Sequence, residues 1–141
     1  MADAQFIDDN YCFACGTLNP LGLHLKFFSD GDRLCTRVRP GPHWQGYHGV
    51  VHGGLQSTIF DDLMSNHLFR LHHVWNTTAE LSVRFKQPVP VGAELLFSTR
   101  LESQRGRLWT MGGECRLATE PEAPPLSIAC GRFIELPPPV N

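Results

Sequence analysis

The 141-residue sequence lacks several features that mark other protein classes. It has no apolar run near the roughly 20 residues that span a bilayer. Met1–Gln5 has neither the basic start nor the apolar region of a signal peptide. With a formal net charge of -2, it offers no electrostatic basis for binding nucleic acid. We therefore expect a single cytosolic domain over residues 1–141 that binds neither membranes nor nucleic acid.

Cysteine is present in an odd number, five, which argues against a closed disulfide framework. Cys12 and Cys15 form a C-x-x-C pair, but a structural zinc site usually needs four ligands, and His24 and Cys35 are the only nearby candidates. We therefore interpret the pair as structural, with metal binding as the alternative. The two strand-like cysteines are interpreted as small buried hydrophobic residues: Cys115 and Cys130.

Hydrophobic periodicity divides the chain after an irregular lead, residues 1–22. Residues 23–27 and 34–38 read as two strands joined by a turn at 29–32. Apolar residues at helical spacing predict one long helix from Gly53 to about Leu71. Four further strands follow, the last at about residues 126–136. This β-β-α-β-β-β-β order predicts an α+β fold in which a curved antiparallel sheet wraps around one long central helix.

The start of that helix carries the strongest functional signal. In Val51-His52-Gly53-Gly54, the glycines let backbone amides approach a ligand closely. These amides lie at the positive end of the helix dipole. The carboxylate of Asp61 follows two turns later. Anion-stabilising donors near an acid or base are the minimum equipment for attack on a carbonyl group.

Three segments resemble the hotdog-fold acyl-CoA thioesterases, most of all the phenylacetyl-CoA thioesterase (PaaI-like) group. These are Cys12-Phe13-Ala14-Cys15-Gly16, Asn19-Pro20-x-Gly22-Leu23 and Gly49-Val50-Val51-His52-Gly53-Gly54, with Asp61 nine positions after His52. Together with the strand order, the resemblance spans nearly the whole chain. It implies hydrolysis of an acyl-CoA to a free acid and coenzyme A, without a metal or bound cofactor.

The resemblance also implies roles for individual residues. The Gly53 amide would help to hold the thioester oxygen, and Asp61 would be nucleophile or general base. Thr78 would position the attacking water. Some relatives have an asparagine where this chain has Gly46, so that role is empty or is filled by one of three neighbours: Gln45, His43 or His48.

Other candidates have two readings. His52 is either a hydrogen-bonding residue that orders the loop or a proton carrier, and Gly54 either contributes to the site or only to a tight entry turn. Trp44 and Tyr47 would line an acyl pocket or simply pack. CoA phosphates would lie near Arg84, Lys86 or Arg105. Four residues are expected at the surface or the helix end: Asp62, His67, His72 and His73.

The spacing of the two main residues has a structural consequence. Gly53 and Asp61 lie eight positions apart, or about 12 Å along one helix. A carboxylate cannot reach that far to a carbonyl docked at its own helix start. If two helices pack antiparallel across a two-fold axis, Asp61 of one can face Gly53 of the other. We therefore predict a homodimer, or a dimer of dimers, with shared sites.

Two alternative functions remain open from the sequence. A hotdog dehydratase or hydratase acting on acyl thioesters would use a His–acid pair to move protons at carbon, with His52 as the conceivable partner of Asp61. A non-catalytic acyl-CoA-binding protein would show affinity without turnover.

Overall fold

The computed structural model describes residues 7–139 and confirms the predicted fold: one long helix packed against an antiparallel sheet. The helix α1 spans Gly53–His72. Residues 1–6 and 140–141, which include the segment considered for a signal peptide and the start of the predicted lead, lie outside the described residues. The strands are β1 (Phe28–Asp30), β2 (Arg33–Val38), β3 (Asn76–Phe85), β4 (Leu95–Arg105), β5 (Leu108–Leu117) and β6 (Ser127–Glu135).

The six strands form one sheet in the order β1-β2-β4-β5-β6-β3, and every neighbouring pair is antiparallel. Strand β3 follows the helix directly in sequence yet lies at the far edge of the sheet. Its inner neighbour is the last strand, β6. One long side of β3 therefore has no strand partner within residues 7–139.

The core lies between α1 and the sheet. The helix buries Phe60, Leu63 and Met64 completely, at the spacing the sequence predicts. The Phe60 ring packs edge-to-face on Phe97 of β4, with ring centroids 5.1 Å apart. Gly113 of β5 lets the helix approach closely, because a Cβ there would lie 2.9 Å from Phe60 Cδ1. Tight packing of this kind is sensitive to added or removed methyl groups.

The prediction of a first strand over residues 23–27 is wrong. That segment is irregular, and β1 begins only at Phe28. Its backbone donors bind the N-terminal lead instead of a strand: Leu23 N–H donates to the carbonyl of Phe13 (2.8 Å) and Leu25 N–H to that of Ala14 (2.9 Å). His24 also has a φ of 52°, which does not fit a strand. The described part of the lead, residues 7–22, is thus irregular, as predicted, but it is docked on the core through the buried Ala14.

The two cysteines that were predicted to be buried differ in their exposure to solvent. Cys115 is buried, as expected, whereas Cys130 is exposed. On β6 the inward positions are the odd-numbered ones, including Ala129 and Gly131, so Cys130 faces the other side of the sheet.

No helix within residues 7–139 combines the length and the apolar character needed to cross a membrane.

His67 was expected at the surface and is instead fully buried. Its Nδ1 lies 2.9 Å from Thr99 Oγ1, and Thr99 donates its own hydroxyl to the carbonyl of Leu34. Burial lowers the pKa of His67 to about 4, because an apolar environment disfavours the charged ring. His72 and His73 are exposed at the helix end, as expected, with His73 as the left-handed cap.

Candidate active site

The glycine motif forms the first turn of α1. His52 is the N-cap residue, and its Nδ1 accepts a 2.8 Å hydrogen bond from the Gly54 amide. Its own amide donates to the carbonyl of Trp44 (2.9 Å). The amides of Leu55 and Gln56 donate to the His52 carbonyl. The hydrogen bonds found within residues 7–139 include none that the Gly53 N–H donates, so it is the backbone donor of this turn that is free for a ligand.

A cavity of about 710 Å³ opens at this helix start. Its size suits a small-molecule ligand. Gly53 lies on its wall beneath the Phe85 ring, and a Cβ at this position would lie 3.1 Å from Phe85 Cζ. A side chain here would therefore press on the Phe85 ring. Five of the other lining residues are apolar: Val50, Val51, Phe85, Pro88 and Val89.

Asp61 lies on the flank of α1 that faces the edge strand β3. Thr78 Oγ1 donates a 2.6 Å hydrogen bond to Asp61 Oδ1. Thr78 precedes a β-bulge, where the register of β3 against β6 shifts before Glu80. Bulges of this kind redirect side chains at sheet edges. The structure thus brings Asp61 and Thr78 together, while Asp61 does not line the cavity that contains Gly53.

Of the loop residues that the sequence suggested as cavity or pocket residues, only Tyr47 lines the cavity. Tyr47 lines the cavity and is 88% exposed. Trp44 is half-buried and does not line the cavity. Its carbonyl supports the loop by accepting the hydrogen bond from the His52 amide. Gln45 Oε1 accepts a hydrogen bond from the Gly49 amide (3.2 Å), so its side chain is already engaged. His48 is exposed in the turn and lies outside the cavity wall.

Of the three basic residues expected near the CoA phosphates, one lines the cavity and two do not. Arg84 is exposed on β3 and Arg105 ends β4, and neither lines the cavity. Lys86, which follows β3 directly, does line it. The positive charge nearest to the cavity therefore belongs to Lys86.

A family match decides the classification. The model of the family described as the thioesterase superfamily matches residues 48–123, which is more than half of the chain and includes the helix start and Asp61. The chain belongs to the thioesterase superfamily. Among curated relatives, the acyl-coenzyme A thioesterase THEM4 of Bos taurus is 29% identical over 140 residues, which cover 98% of this chain and 56% of the relative. The chain thus spans about half the length of the curated relatives it matches.

Solved structures of this superfamily share the fold. A thioesterase superfamily protein with 24% identity superposes with a TM-score of 0.77, over 95% of this chain and 68% of the other. The PaaI protein of E. coli, from the phenylacetic acid degradation operon, is 12% identical with a TM-score of 0.72, over 84% of each chain. These likenesses support the hotdog fold that the sequence predicted.

This thioesterase superfamily chain has a cavity residue that sequence reasoning missed, Gln56. It lies one turn after Gly53, is only 3% exposed and lines the same cavity. Its Oε1 is buried without a hydrogen-bond partner in the described part of the chain. Buried amides are normally satisfied, so an unsatisfied one at a cavity is a candidate ligand contact. A polar residue three positions after Gly53, within an apolar periodic stretch, was the available signal.

Asp62 was expected to be solvated, and this prediction is wrong. The side chain is half-buried under the N-terminal lead, where the thiols of Cys12 and Cys15 donate weak hydrogen bonds to Oδ1. Burial raises the pKa of the Asp62 carboxyl above its usual value. The predicted neighbours of the cysteine pair are wrong as well. His24 binds the Asn19 carbonyl and Cys35 is buried on β2, so the third residue at the pair is Asp62.

Proposed function

We propose that this chain is an acyl-CoA thioesterase that hydrolyses an acyl-CoA to a free acid and coenzyme A. The observation that carries the proposal is the free Gly53 amide at the start of α1, facing a ligand-sized cavity, with a hydrogen-bonded Asp61 on the same helix. Membership of the thioesterase superfamily and the activity named for the bovine relative support it.

The chemistry requires only these groups. A thioester has a good leaving group, so polarising the carbonyl and supplying a nucleophile are the main tasks. A preorganised backbone donor such as the Gly53 N–H contributes about 3–4 kcal/mol to an oxyanion transition state. Asp61 either deprotonates water, worth about 10²–10⁴-fold, or attacks the carbonyl to form a mixed anhydride. Thr78, bound to Asp61, would orient the water.

The substrate would enter at the helix start. The acyl group would lie against the apolar wall formed by Val50, Val51 and Phe85. The unpaired side-chain Oε1 of Gln56 would accept a hydrogen bond from an amide N–H of the CoA arm, since the thioester itself has no donor. Lys86, at the cavity, would pair with a phosphate of the CoA moiety. Arg84 and Arg105, which are further from the cavity wall, are weaker candidates for this contact.

We further infer that the active unit is a homodimer with two shared sites. Gly53 and Asp61 are about 12 Å apart along α1, too far for one docked carbonyl to meet both. The free side of β3, ten residues long, offers unpaired backbone groups that a second copy could pair with. If two β3 strands pair antiparallel, the helices also run antiparallel. Asp61 of one copy would then approach Gly53 of the other.

A thiol-release screen over short, long and aromatic acyl-CoAs tests the activity, with Asp61→Asn measured beside the wild type. We expect release of free CoA by the wild type and its loss in the variant. A dehydratase or hydratase would instead show enoyl hydration without thiol release. An acyl-CoA-binding protein would bind substrate without turnover, and Asp61→Asn would then change nothing measurable.

Two variants at Gly53 test whether its backbone N–H is the oxyanion donor. Gly53→Pro removes the N–H at the first helical position, where proline is well tolerated, and His52 already has a compatible extended conformation. Gly53→Ala is the matched control, because it adds a Cβ against Phe85 but keeps the N–H. We expect Gly53→Pro to lower kcat by roughly 10²–10³-fold and Gly53→Ala to lower it much less.

Mixing then distinguishes a shared site from a site within one chain. When Gly53→Pro and Asp61→Asn chains are refolded together, a shared site restores about one quarter of wild-type activity, because half of the dimers are mixed and each has one intact site. No recovery, or an active monomer, would contradict the dimer proposal while leaving the proposed reaction intact.

A further inference from the structure

Three metal-ligating side chains converge where the N-terminal lead crosses α1. Cys12 Sγ lies 3.5 Å and Cys15 Sγ 3.7 Å from the same atom, Asp62 Oδ1. One ligand atom from each of the three residues lies within 4.8 Å of the others. Within residues 7–139 this is the only such group of three His, Cys, Asp or Glu side chains. The proposed thioesterase chemistry makes no use of it.

The spacing suits a zinc ion. Zinc binds thiolate sulfur at about 2.3 Å and carboxylate oxygen at about 2.0 Å, usually with tetrahedral geometry. A tetrahedral angle between such bonds places sulfur and oxygen about 3.5 Å apart. The observed sulfur–oxygen separations are close to this edge length. The two sulfur–oxygen distances therefore match those expected for one zinc ion bound to the carboxylate and both thiolates.

The cysteine turn is also shaped to present two sulfur atoms. The Ala14 N–H donates to Cys12 Sγ (3.3 Å), and the Gly16 N–H donates to the Cys12 carbonyl (2.9 Å). A Cβ at Gly16 would collide with the backbone of Cys12, so the turn can close this tightly only with glycine. A backbone N–H aimed at sulfur stabilises a thiolate, which is the metal-binding form of cysteine.

The carboxylate provides a second, independent observation. Asp62 Oδ2 is buried and has no hydrogen-bond partner in the described part of the chain. A buried carboxylate with an unsatisfied oxygen is costly on its own. A bound cation would compensate both its charge and its free oxygen.

We propose that Cys12, Cys15 and Asp62 bind one zinc ion. The fourth ligand would be water, supplied through a neighbouring cavity of about 540 Å³ whose wall includes all three residues. As each sulfur–zinc bond forms, the thiol releases its proton to solvent, while Asp62 supplies an electron pair from its carboxylate; no electrons are transferred. Affinity therefore rises with pH. The ion would tie the N-terminal lead to α1 at the residue next to Asp61.

Cobalt titration of the reduced, chelator-treated full chain tests the site. Co²⁺ substitutes for Zn²⁺ and reports its ligands: thiolate bonds give a near-ultraviolet charge-transfer band, and tetrahedral geometry gives strong visible bands. We expect saturation at one Co²⁺ per chain, displacement by Zn²⁺, and a higher Tm for the zinc-loaded protein. Absence of these bands, together with an unchanged Tm, would overturn the proposal.

Matched variants assign the ligands. Cys12→Ser and Cys15→Ser should each weaken the charge-transfer band. These two variants and Asp62→Asn should each lower the affinity for Co²⁺ at least tenfold. Cys130→Ser is the control, because Cys130 is exposed on β6, away from the cluster. Equal Co²⁺ spectra in all four variants would place the metal elsewhere and contradict the assignment. This result is independent of thioesterase activity, which is measured separately.

Discussion

Two adjacent carboxylates on α1 lie in opposite environments. Asp61 faces the edge strand β3, accepts a hydroxyl hydrogen bond from Thr78 and lies where a second copy could approach. Asp62 faces the N-terminal lead, accepts weak hydrogen bonds from two thiols and has one buried oxygen without a partner. A helix turns by about 100° per residue, so neighbours in sequence contact different elements. The two environments agree with the different roles that we propose, catalysis for Asp61 and metal binding for Asp62.

The largest effect should come from exchanging the carboxylates for amides one at a time. Asp61→Asn should lower kcat by about 10²–10⁴-fold, the usual contribution of a general base, and leave the thermal stability close to that of the wild type. Asp62→Asn should keep most of kcat but lose the stabilisation by zinc. Steady-state thiol release measures kcat, and thermal unfolding with and without Zn²⁺ measures the stabilisation by zinc. Equal loss of kcat in the two variants would remove the distinction between the two flanks.

A second effect concerns the face of α1 that is buried against the sheet. His67 has a folded-state pKa of about 4, against 6.5 when unperturbed, so the unfolded state binds its proton first as the pH falls. Its contribution to stability is therefore present above pH 6.5 and is lost between pH 6.5 and 4, up to about 3 kcal/mol. Urea unfolding across this range measures the loss.

His67→Gln is the matched variant for this measurement, because it keeps a polar contact to Thr99 without titrating. The raised pKa of Asp62 is present in both proteins, so its contribution cancels in the difference. The same acid slope in the variant and the wild type would show that His67 is not the group responsible.

The smallest effect should come from the hydrogen bond that Thr78 donates to Asp61. Thr78→Val keeps the shape of the side chain but removes the hydroxyl that Asp61 accepts. We expect kcat/KM to fall roughly tenfold, since a hydrogen bond to a charged group contributes about 1.5 kcal/mol or more. Thr78→Ser should retain most of the activity. If Thr78→Val and Thr78→Ser are equally active, the hydroxyl has no part in orienting the water.

Much of this molecule follows from local sequence patterns. The helix from Gly53, the glycine-rich start with its free amide, the later strands and the irregular lead were predicted because periodicity and glycine act over short stretches of chain. Most of the failed predictions concern residues whose surroundings come from other segments of the chain. Residues 23–27 alternate like a strand but bind the backbone of residues 13–14, which a local pattern cannot reveal.

The sequence by itself determined which groups are available: two glycines and two carboxylates on one helix, and a cysteine pair in a tight turn. Only the tertiary structure decided their partners. It buried His67 against Thr99, exposed Cys130, placed Gln56 at the cavity and brought Asp62 to the two thiols. The physical reason is that burial and hydrogen bonding depend on which distant segments pack together, whereas the propensity to form a helix or a turn depends mainly on neighbours along the chain.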